Sequence, residues 1–158
     1  MLNDLFISKV RVKMLQLFML NQGEMFHVRE IVRQVDEEIN AVRRELQRME
    51  KGGMVRSEWR ANRRYYEFRK DYLFYPELLA MMNKVGGLGG EIIKNKDKLG
   101  KVKFAFVSGG FVRGKTPGTK DVELLLVGTI VLPELSAVVK EEEAKREREI
   151  NYTVMTED

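Results

Sequence analysis

The stretch from Phe104 to Gly128, FAFVSGGFVRGKTPGTKDVELLLVG, constrains the fold of this chain more than any other feature. Two apolar runs flank a loop rich in glycine and lysine, which predicts two buried strands joined by a turn. Asp121 and Glu123 are two positions apart, and residues two apart on a strand point to the same face. Beside the turn Gly109-Gly110, whose amides can face an anion, this carboxylate pair could hold a divalent metal and a nucleoside triphosphate. The alternative is an edge strand with ordinary polar alternation beside a structural turn.

The composition excludes several classes of protein. With 158 residues the chain could form one domain or two small ones, and its apolar fraction of 44% is ordinary for a globular protein. Because the chain has no cysteine, it has neither a disulfide framework nor a thiolate metal site, and it suits a reducing cytoplasm. No apolar run approaches the ~20 residues of a membrane span, and the N-terminus lacks the features of a signal peptide. We therefore expect a cytoplasmic protein with no membrane partner.

The positive charge is concentrated in the first half of the chain. Residues 1–75 contain 15 Lys and Arg against 11 Asp and Glu, whereas residues 76–158 contain 13 of each. Within residues 39–70 the imbalance is 10 basic against 4 acidic side chains. A concentrated basic segment indicates an anionic partner.

The first half predicts three helices and a hairpin. Ser8 can cap a helix that reaches Phe18, a second helix begins near His27, and a third spans residues 39–51 until Gly52-Gly53 ends it. Alternating residues then predict two strands joined by a turn at residues 60–63. Three helices followed by a hairpin is the element order of a winged helix-turn-helix, and we assign this DNA-binding domain to residues 1–84.

The third helix and the hairpin carry the candidate DNA-binding residues. When the apolar stripe of the helix packs inward, its outward residues are of the types that pair with guanine and adenine, and the arginine-rich turn suits phosphates or the minor groove. The candidates are Asn40, Arg43, Arg44, Gln47, Arg48, Arg60, Asn62, Arg63 and Arg64. The alternative is a solvated basic face with no partner.

Residues 7–84 resemble the ArsR-type winged-helix family. The matching segments are Ser8-Lys-Val-Arg-Val-Lys13, Val28-Arg-Glu-Ile31, Asn40-Ala-Val-Arg-Arg-Glu-Leu46, Gly52-Gly-Met-Val55, Asn62-Arg-Arg-Tyr-Tyr66 and Leu73-Phe-Tyr-Pro-Glu-Leu78. This resemblance implies a transcriptional regulator that binds double-stranded DNA, usually as a homodimer. Many ArsR proteins sense metals through cysteines, which this chain lacks, so thiolate sensing is not implied.

The second half predicts a small α/β layer. We expect a helix over residues 77–84, a linker at the glycines of residues 86–90 and a helix over residues 91–99. Strands over residues 102–108 and 121–128, a charged helix over residues 133–147 and a strand over residues 150–155 complete the pattern. The domain boundaries that follow are a linker and helix at residues 85–100 and a second domain at residues 101–158, which is truncated or minimal.

Residues 102–155 resemble the minimal nucleotidyltransferase fold. The segments Gly109-Gly110-Phe-Val-Arg113-Gly114 and Asp121-Val-Glu123 match its glycine turn, Arg-Gly and paired acids, with Lys120 just before the acids. Together with the winged helix, this resemblance implies an α+β chain that ends in a small nucleotidyltransferase-like α/β domain. It also implies the roles of the site residues in that domain. Nucleotide binding falls to Gly109, Gly110, Arg113 and Lys120, Mg²⁺ binding to Asp121 and Glu123, and catalysis to these acids with Glu149 as the third carboxylate.

Two departures from the nucleotidyltransferase pattern weigh against catalysis. The family has a phosphate-binding serine where this chain has Gly110, and the loss of such a contact costs roughly 1.5–3 kcal/mol. Ser108 is adjacent, but on a strand it would point the other way. The third acid is either Glu149 or lost, with Asn151 in its place.

Three functions remain open from the sequence. The favoured one is a DNA-binding regulator with a degenerate or ligand-sensing nucleotidyltransferase-like domain. The second is a Mg²⁺-dependent nucleotidyltransferase that uses the winged helix to dock nucleic acid or a partner protein. The third is an interaction module such as one half of a toxin–antitoxin pair, which no residue specifically favours.

Overall fold

A computed structural model of the chain describes residues 6–157. The chain divides into two compact units, Met1–Met82 and Asn83–Asp158. Each unit contains helices and one three-stranded sheet, so the fold class is mixed α+β as predicted. None of the described helices is both long and apolar enough to cross a membrane.

The first unit begins with the three predicted helices: α1 at Lys9–Leu20, α2 at Val28–Val35 and α3 at Ile39–Lys51. Ser8 caps α1 as predicted, because its hydroxyl accepts a hydrogen bond from the Arg11 amide at 3.2 Å. The side chain of His27 caps α2 in the same way. Gly52 caps α3, and Gly53 follows with φ at 71°, a left-handed conformation that favours glycine.

The predicted hairpin is confirmed. Strand β1 is Phe26–His27, β2 is Val55–Arg60 and β3 is Arg63–Phe68, all antiparallel in the order β1-β3-β2. Arg60 pairs with Arg63, so the turn between the long strands has two residues. The three helices and this hairpin have the element order of a winged helix-turn-helix.

Aromatic and aliphatic side chains hold the helices of the first unit on the sheet. The Phe18 ring on α1 lies 5.9 Å from Phe26 and 6.3 Å from Phe68, measured between centroids. Ile31 on α2 and Leu46 on α3 are fully buried. Each such side chain stabilises the fold by about 1.5–3 kcal/mol through loss of apolar surface from water.

Helices α4 (Tyr75–Val85) and α5 (Gly87–Lys94) follow, and here the structure differs from the sequence prediction. Of the glycines expected to form a linker, Gly86 caps α5 and the others lie inside it, and the helix ends at Lys94 rather than continuing to residue 99. A Cβ at Gly89 would lie 2.3 Å from the Asn83 carbonyl oxygen, and one at Gly90 would lie 2.6 Å from that of Val85. The glycines therefore allow α5 to approach the end of α4 closely.

The second unit contains the predicted strands and charged helix, with a short additional helix after the first strand. Its elements are β4 (Gly100–Val107), α6 (Gly109–Val112), β5 (Leu124–Ile130), α7 (Leu132–Arg146) and β6 (Tyr152–Met155). Strand β5 is central, antiparallel to β4 and parallel to β6. Leu124, Leu126, Leu135 and Val139 are buried in the core that joins the sheet to α5 and α7.

The second predicted strand begins later than expected. It starts at Leu124 rather than at residue 121, so Asp121 lies in the loop before the strand. The premise that Asp121 and Glu123 project from one face of a strand is therefore wrong. The hydrogen bond from the Gly118 amide to the Asp121 carboxylate, at 2.8 Å, keeps this segment in the loop.

Candidate functional site

The outward face of α3 carries every residue that the sequence selected on this helix. Asn40, Arg43, Arg44, Gln47 and Arg48 are exposed, whereas Val42, Leu46 and Met49 are buried. This division follows from the period of 3.6 residues, which places positions 42, 46 and 49 on one stripe. The helix therefore presents a row of guanidinium and amide groups to solvent.

The inward face of α3 contains a buried acid that the sequence analysis missed. Glu45 is 3% exposed, and its carboxylate accepts hydrogen bonds from Arg11 and Ser8 at the start of α1. The Arg48 guanidinium lies 3.7 Å from the same carboxylate. The ion pair fixes α3 against α1, and a glutamate inside an apolar stripe was the available signal.

Arg64 is engaged within the first unit. Its guanidinium donates to both carboxylate oxygens of Glu50, at 2.9 and 3.0 Å, and to the Ser57 hydroxyl at 3.0 Å. It also lies over the Tyr66 ring, 5.4 Å from the centroid. Arg64 therefore joins β3 to the end of α3, although it remains near the residues predicted to bind DNA.

The turn of the hairpin presents Asn62 and Arg63 to solvent. Arg60, just before the turn, pairs with Glu58 and lies over the Tyr65 ring at 5.4 Å. Among the described residues, no carboxylate forms a salt bridge with Arg63, or with the arginines at positions 43 and 44 of α3. These three guanidinium groups are therefore available to an external anion.

An arginine-lined cleft of about 340 Å³ joins the start of α2, α3 and the hairpin turn. Its lining residues are His27, Val28, Arg29, Arg43, Asn62, Arg63 and Arg64. Of its four guanidinium groups, Arg64 is paired with Glu50, and the three others attract phosphate oxygens. Arg29 was not among the predicted DNA-binding residues, and its position two residues after the helix cap His27 was the available signal.

A second cleft, of about 330 Å³, lies at the glycine turn of the second unit. It is lined by Ser108, Gly110, Phe111, Lys115, Thr116, Pro117, Lys120, Asp121, Val122 and Glu123. The expectation that Ser108 points away is wrong, because β4 ends at Val107 and Ser108 caps α6 by accepting from the Phe111 amide at 3.1 Å. Arg113 is not part of this lining, and its guanidinium lies over Gly109 instead.

Glu123 is not free to bind a metal. It is 2% exposed, and both carboxylate oxygens accept from the Arg148 guanidinium, at 2.7 and 2.9 Å. The Asn151 amide donates to it at 3.3 Å. The hydrogen bond to Glu123 raises the pKa of Arg148 above its usual value, so Arg148 remains a cation.

The three predicted catalytic carboxylates do not converge. Asp121 bonds to its own loop, Glu123 is paired with Arg148, and Glu149 is exposed. Within residues 6–157, no group of three His, Cys, Asp or Glu side chains is placed to hold a metal ion. The residues present therefore do not fit the Mg²⁺ ion that the nucleotidyltransferase resemblance implies.

The comparisons with known proteins give little further information. No model of a protein family matches the sequence, and no curated protein sequence matches it. The structure of reduced HlyU from Vibrio cholerae N16961 is similar over 53% of this chain and 80% of HlyU, with 17% identity and a TM-score of 0.40. Human N-acetylserotonin methyltransferase in complex with SAM has 13% identity and a TM-score of 0.36 over 91% of this chain, which spans 40% of the methyltransferase. Both likenesses are weak.

Proposed function

We propose that this protein is a DNA-binding transcriptional regulator whose first unit reads double-stranded DNA. The observation that supports this proposal is the cleft shared by Arg43 of α3 and Arg63 of the hairpin turn. Helix α3 enters the major groove, where exposed Asn, Gln and Arg side chains reach base edges. The hairpin turn contacts the adjacent phosphates.

The distribution of charge favours this function over a solvated basic face. A solvated face gains nothing from unpaired arginines grouped on one concave surface, whereas a phosphate backbone neutralises them and releases counterions. Arg43, Arg44 and Arg63 lie on this face without a described salt bridge, whereas Arg60 and Arg64 are paired. Asn40, Gln47 and Arg48 on α3 and Asn62 in the turn complete the proposed interface.

The proposed active species is a homodimer. Two copies of α3 related by a two-fold axis would meet half-sites about 34 Å apart, which is one turn of the duplex. This part of the proposal comes from the resemblance to the ArsR-type family.

The second unit is proposed to be a degenerate nucleotidyltransferase-like module that binds a ligand rather than transferring a nucleotide. The support is the cleft of about 330 Å³ at the glycine turn, together with the pairing of Glu123 to Arg148. Gly110 and Lys120 in this cleft, and Gly109 just outside its lining, are the proposed phosphate-binding residues, with the Arg113 guanidinium lying over Gly109.

The test of DNA binding compares two double variants that lose the same charge. In the Arg43→Ala/Arg44→Ala protein, we expect the affinity for a fluorescent duplex of random sequence to fall at least about tenfold, because two phosphate or base contacts are lost. In the Lys96→Ala/Lys98→Ala protein, whose changes lie on exposed positions of the second unit, the affinity should stay within about twofold of the wild type. Fluorescence anisotropy measures both. Equal losses in the two variants, or no binding by the wild type, would argue against the proposal.

A further inference from the structure

Arg148 is held by contacts on several sides. Besides the two bonds to Glu123, it donates to the Glu149 carbonyl oxygen at 2.8 Å. Its guanidinium lies 5.5 Å from the centroid of the buried Phe111 ring. These contacts come from three segments of the second unit, so the cation is part of the folded framework.

A turn of the chain at the end of α7 places Arg148 beside Glu123. Glu147 caps the helix with φ at 53°, a left-handed conformation that reverses the chain direction. The Ile150 amide then donates to the Glu143 carboxylate at 2.8 Å, which holds the returning segment against α7. The position of Arg148 therefore follows from the backbone path as well as from its own charge.

The bidentate ion pair leaves the cleft with a positive charge. Among the described residues that line it, Lys115 and Lys120 are cationic, and Asp121 is the remaining acid once Glu123 is neutralised by Arg148. A cleft that holds a divalent ion has a net negative charge on its lining residues, because several carboxylates must face the metal. A positive cleft of this size attracts phosphate oxygens directly.

We infer that Arg148 takes the place of a divalent cation beside Glu123, so that the cleft binds a phosphate-bearing anion without any metal ion. This inference rests on the proposed ligand-binding function of the second unit. The guanidinium neutralises the carboxylate that a metal would otherwise neutralise. The two lysines then supply the attraction for phosphate that Mg²⁺ supplies in a metal-dependent site.

The first experiment uses the wild-type protein. Calorimetric titrations with ATP and with inorganic tripolyphosphate, each in EDTA and in excess MgCl₂, should show binding in EDTA at least as tight as in MgCl₂, because bound Mg²⁺ removes negative charge from the probe. The Lys120→Ala variant should bind at least about fivefold more weakly in EDTA. Tighter binding of ATP would identify a nucleotide site, and equal binding would identify a phosphate site; both outcomes support the inference. Binding only in MgCl₂, or no binding of either probe, would overturn it.

The second experiment tests the role of Arg148 against a matched residue. Arg146 also lies over Phe111, at 4.3 Å, but it pairs with Glu142 rather than Glu123. In Arg148→Gln the freed Glu123 should make ATP binding depend on divalent metal, with about tenfold tighter binding in MnCl₂ than in EDTA. Arg146→Gln should show no such dependence. If the Arg148→Gln protein folds and its affinity for ATP is the same in MnCl₂ as in EDTA, the proposed role of Arg148 is contradicted.

Two controls keep the outcomes separate. If circular dichroism shows that Arg148→Gln does not fold, the wild-type titrations decide the inference alone. DNA binding by the first unit is measured on the same preparation. A protein that binds duplex DNA but no phosphate probe would overturn this inference and leave the proposed regulator intact.

Discussion

At the residue scale, some arginines of this chain pair with buried acids and others present positive charge to solvent. Composition alone does not distinguish these two groups. Three buried acids, Glu45, Glu123 and Glu142, each accept hydrogen bonds from one arginine. Removing a charge from water costs several kcal/mol, and an arginine partner offsets part of that cost. Arg148 donates two hydrogen bonds to Glu123, whereas Arg11 and Arg146 donate one each, to Glu45 and Glu142. The arginines paired in this way stabilise the fold and are unavailable to a ligand.

Glu45 should be important for stability. In Glu45→Ala, the free energy of unfolding should fall by about 2–3 kcal/mol, because Arg11 loses the carboxylate that joins α1 to α3. The matched control Glu58→Ala removes an acid that is 51% exposed beside Arg60, and it should cost less than about 0.5 kcal/mol. Urea unfolding measures both values. Equal losses in the two variants would show that the Glu45 pair contributes no more than a surface ion pair.

At the element scale, local patterns predicted the first unit well. The apolar stripe of α3, the Ser8 cap and the alternation in the hairpin all depend on neighbours within a few residues, and each was confirmed. The prediction was wrong at α5, where glycines were interpreted as a linker. Glycine has a low helix propensity, but the close approach of α5 to the α4 carbonyl groups outweighs it.

The glycines of α5 should be intolerant of a methyl group. In Gly89→Ala the new Cβ would lie 2.3 Å from the Asn83 carbonyl oxygen, a contact that requires the backbone to move. The expected loss is about 1–3 kcal/mol, even though alanine is the better helix former. Gly110→Ala is the control, because its nearest neighbour would be the Ser108 hydroxyl at 3.7 Å. Thermal unfolding should show a lower midpoint for Gly89→Ala and little change for Gly110→Ala; a raised midpoint for Gly89→Ala would contradict this packing.

The candidate site in the second unit could be located from the sequence but not understood from it. Gly110, Lys120, Asp121 and Glu123 do line one cleft, whereas Gly109 and Arg113 are not part of its lining. The pairing of Glu123 with Arg148 spans 25 positions and depends on how α7 ends. No local periodicity encodes such a contact, and the charged helix predicted over residues 133–147 ends one residue before Arg148. For this reason the sequence predicted a metal site at Glu123, where the structure has an ion pair with Arg148.

At the scale of the whole molecule, the two units differ in charge and in the partners we propose for them. The excess of positive charge lies in the first 75 residues, and the remainder is balanced. The first unit combines an exposed row on α3 with an arginine-lined cleft, which suits a polyanion. The second unit offers a cleft sized for a small anionic ligand. The regulator that we propose, which senses a phosphate-bearing ligand, would join these two functions in one chain.

The salt dependence of duplex binding tests the central claim most directly. If Arg29, Arg43 and Arg63 each neutralise one phosphate, the logarithm of affinity should fall with the logarithm of salt with a slope of about −3. The affinity of the wild type should then decrease about 50-fold between roughly 50 and 200 mM salt, and Arg63→Ala should reduce the magnitude of the slope by about 0.9. A slope near zero, or the same slope for Arg63→Ala as for the wild type, would contradict the claim that this surface binds DNA.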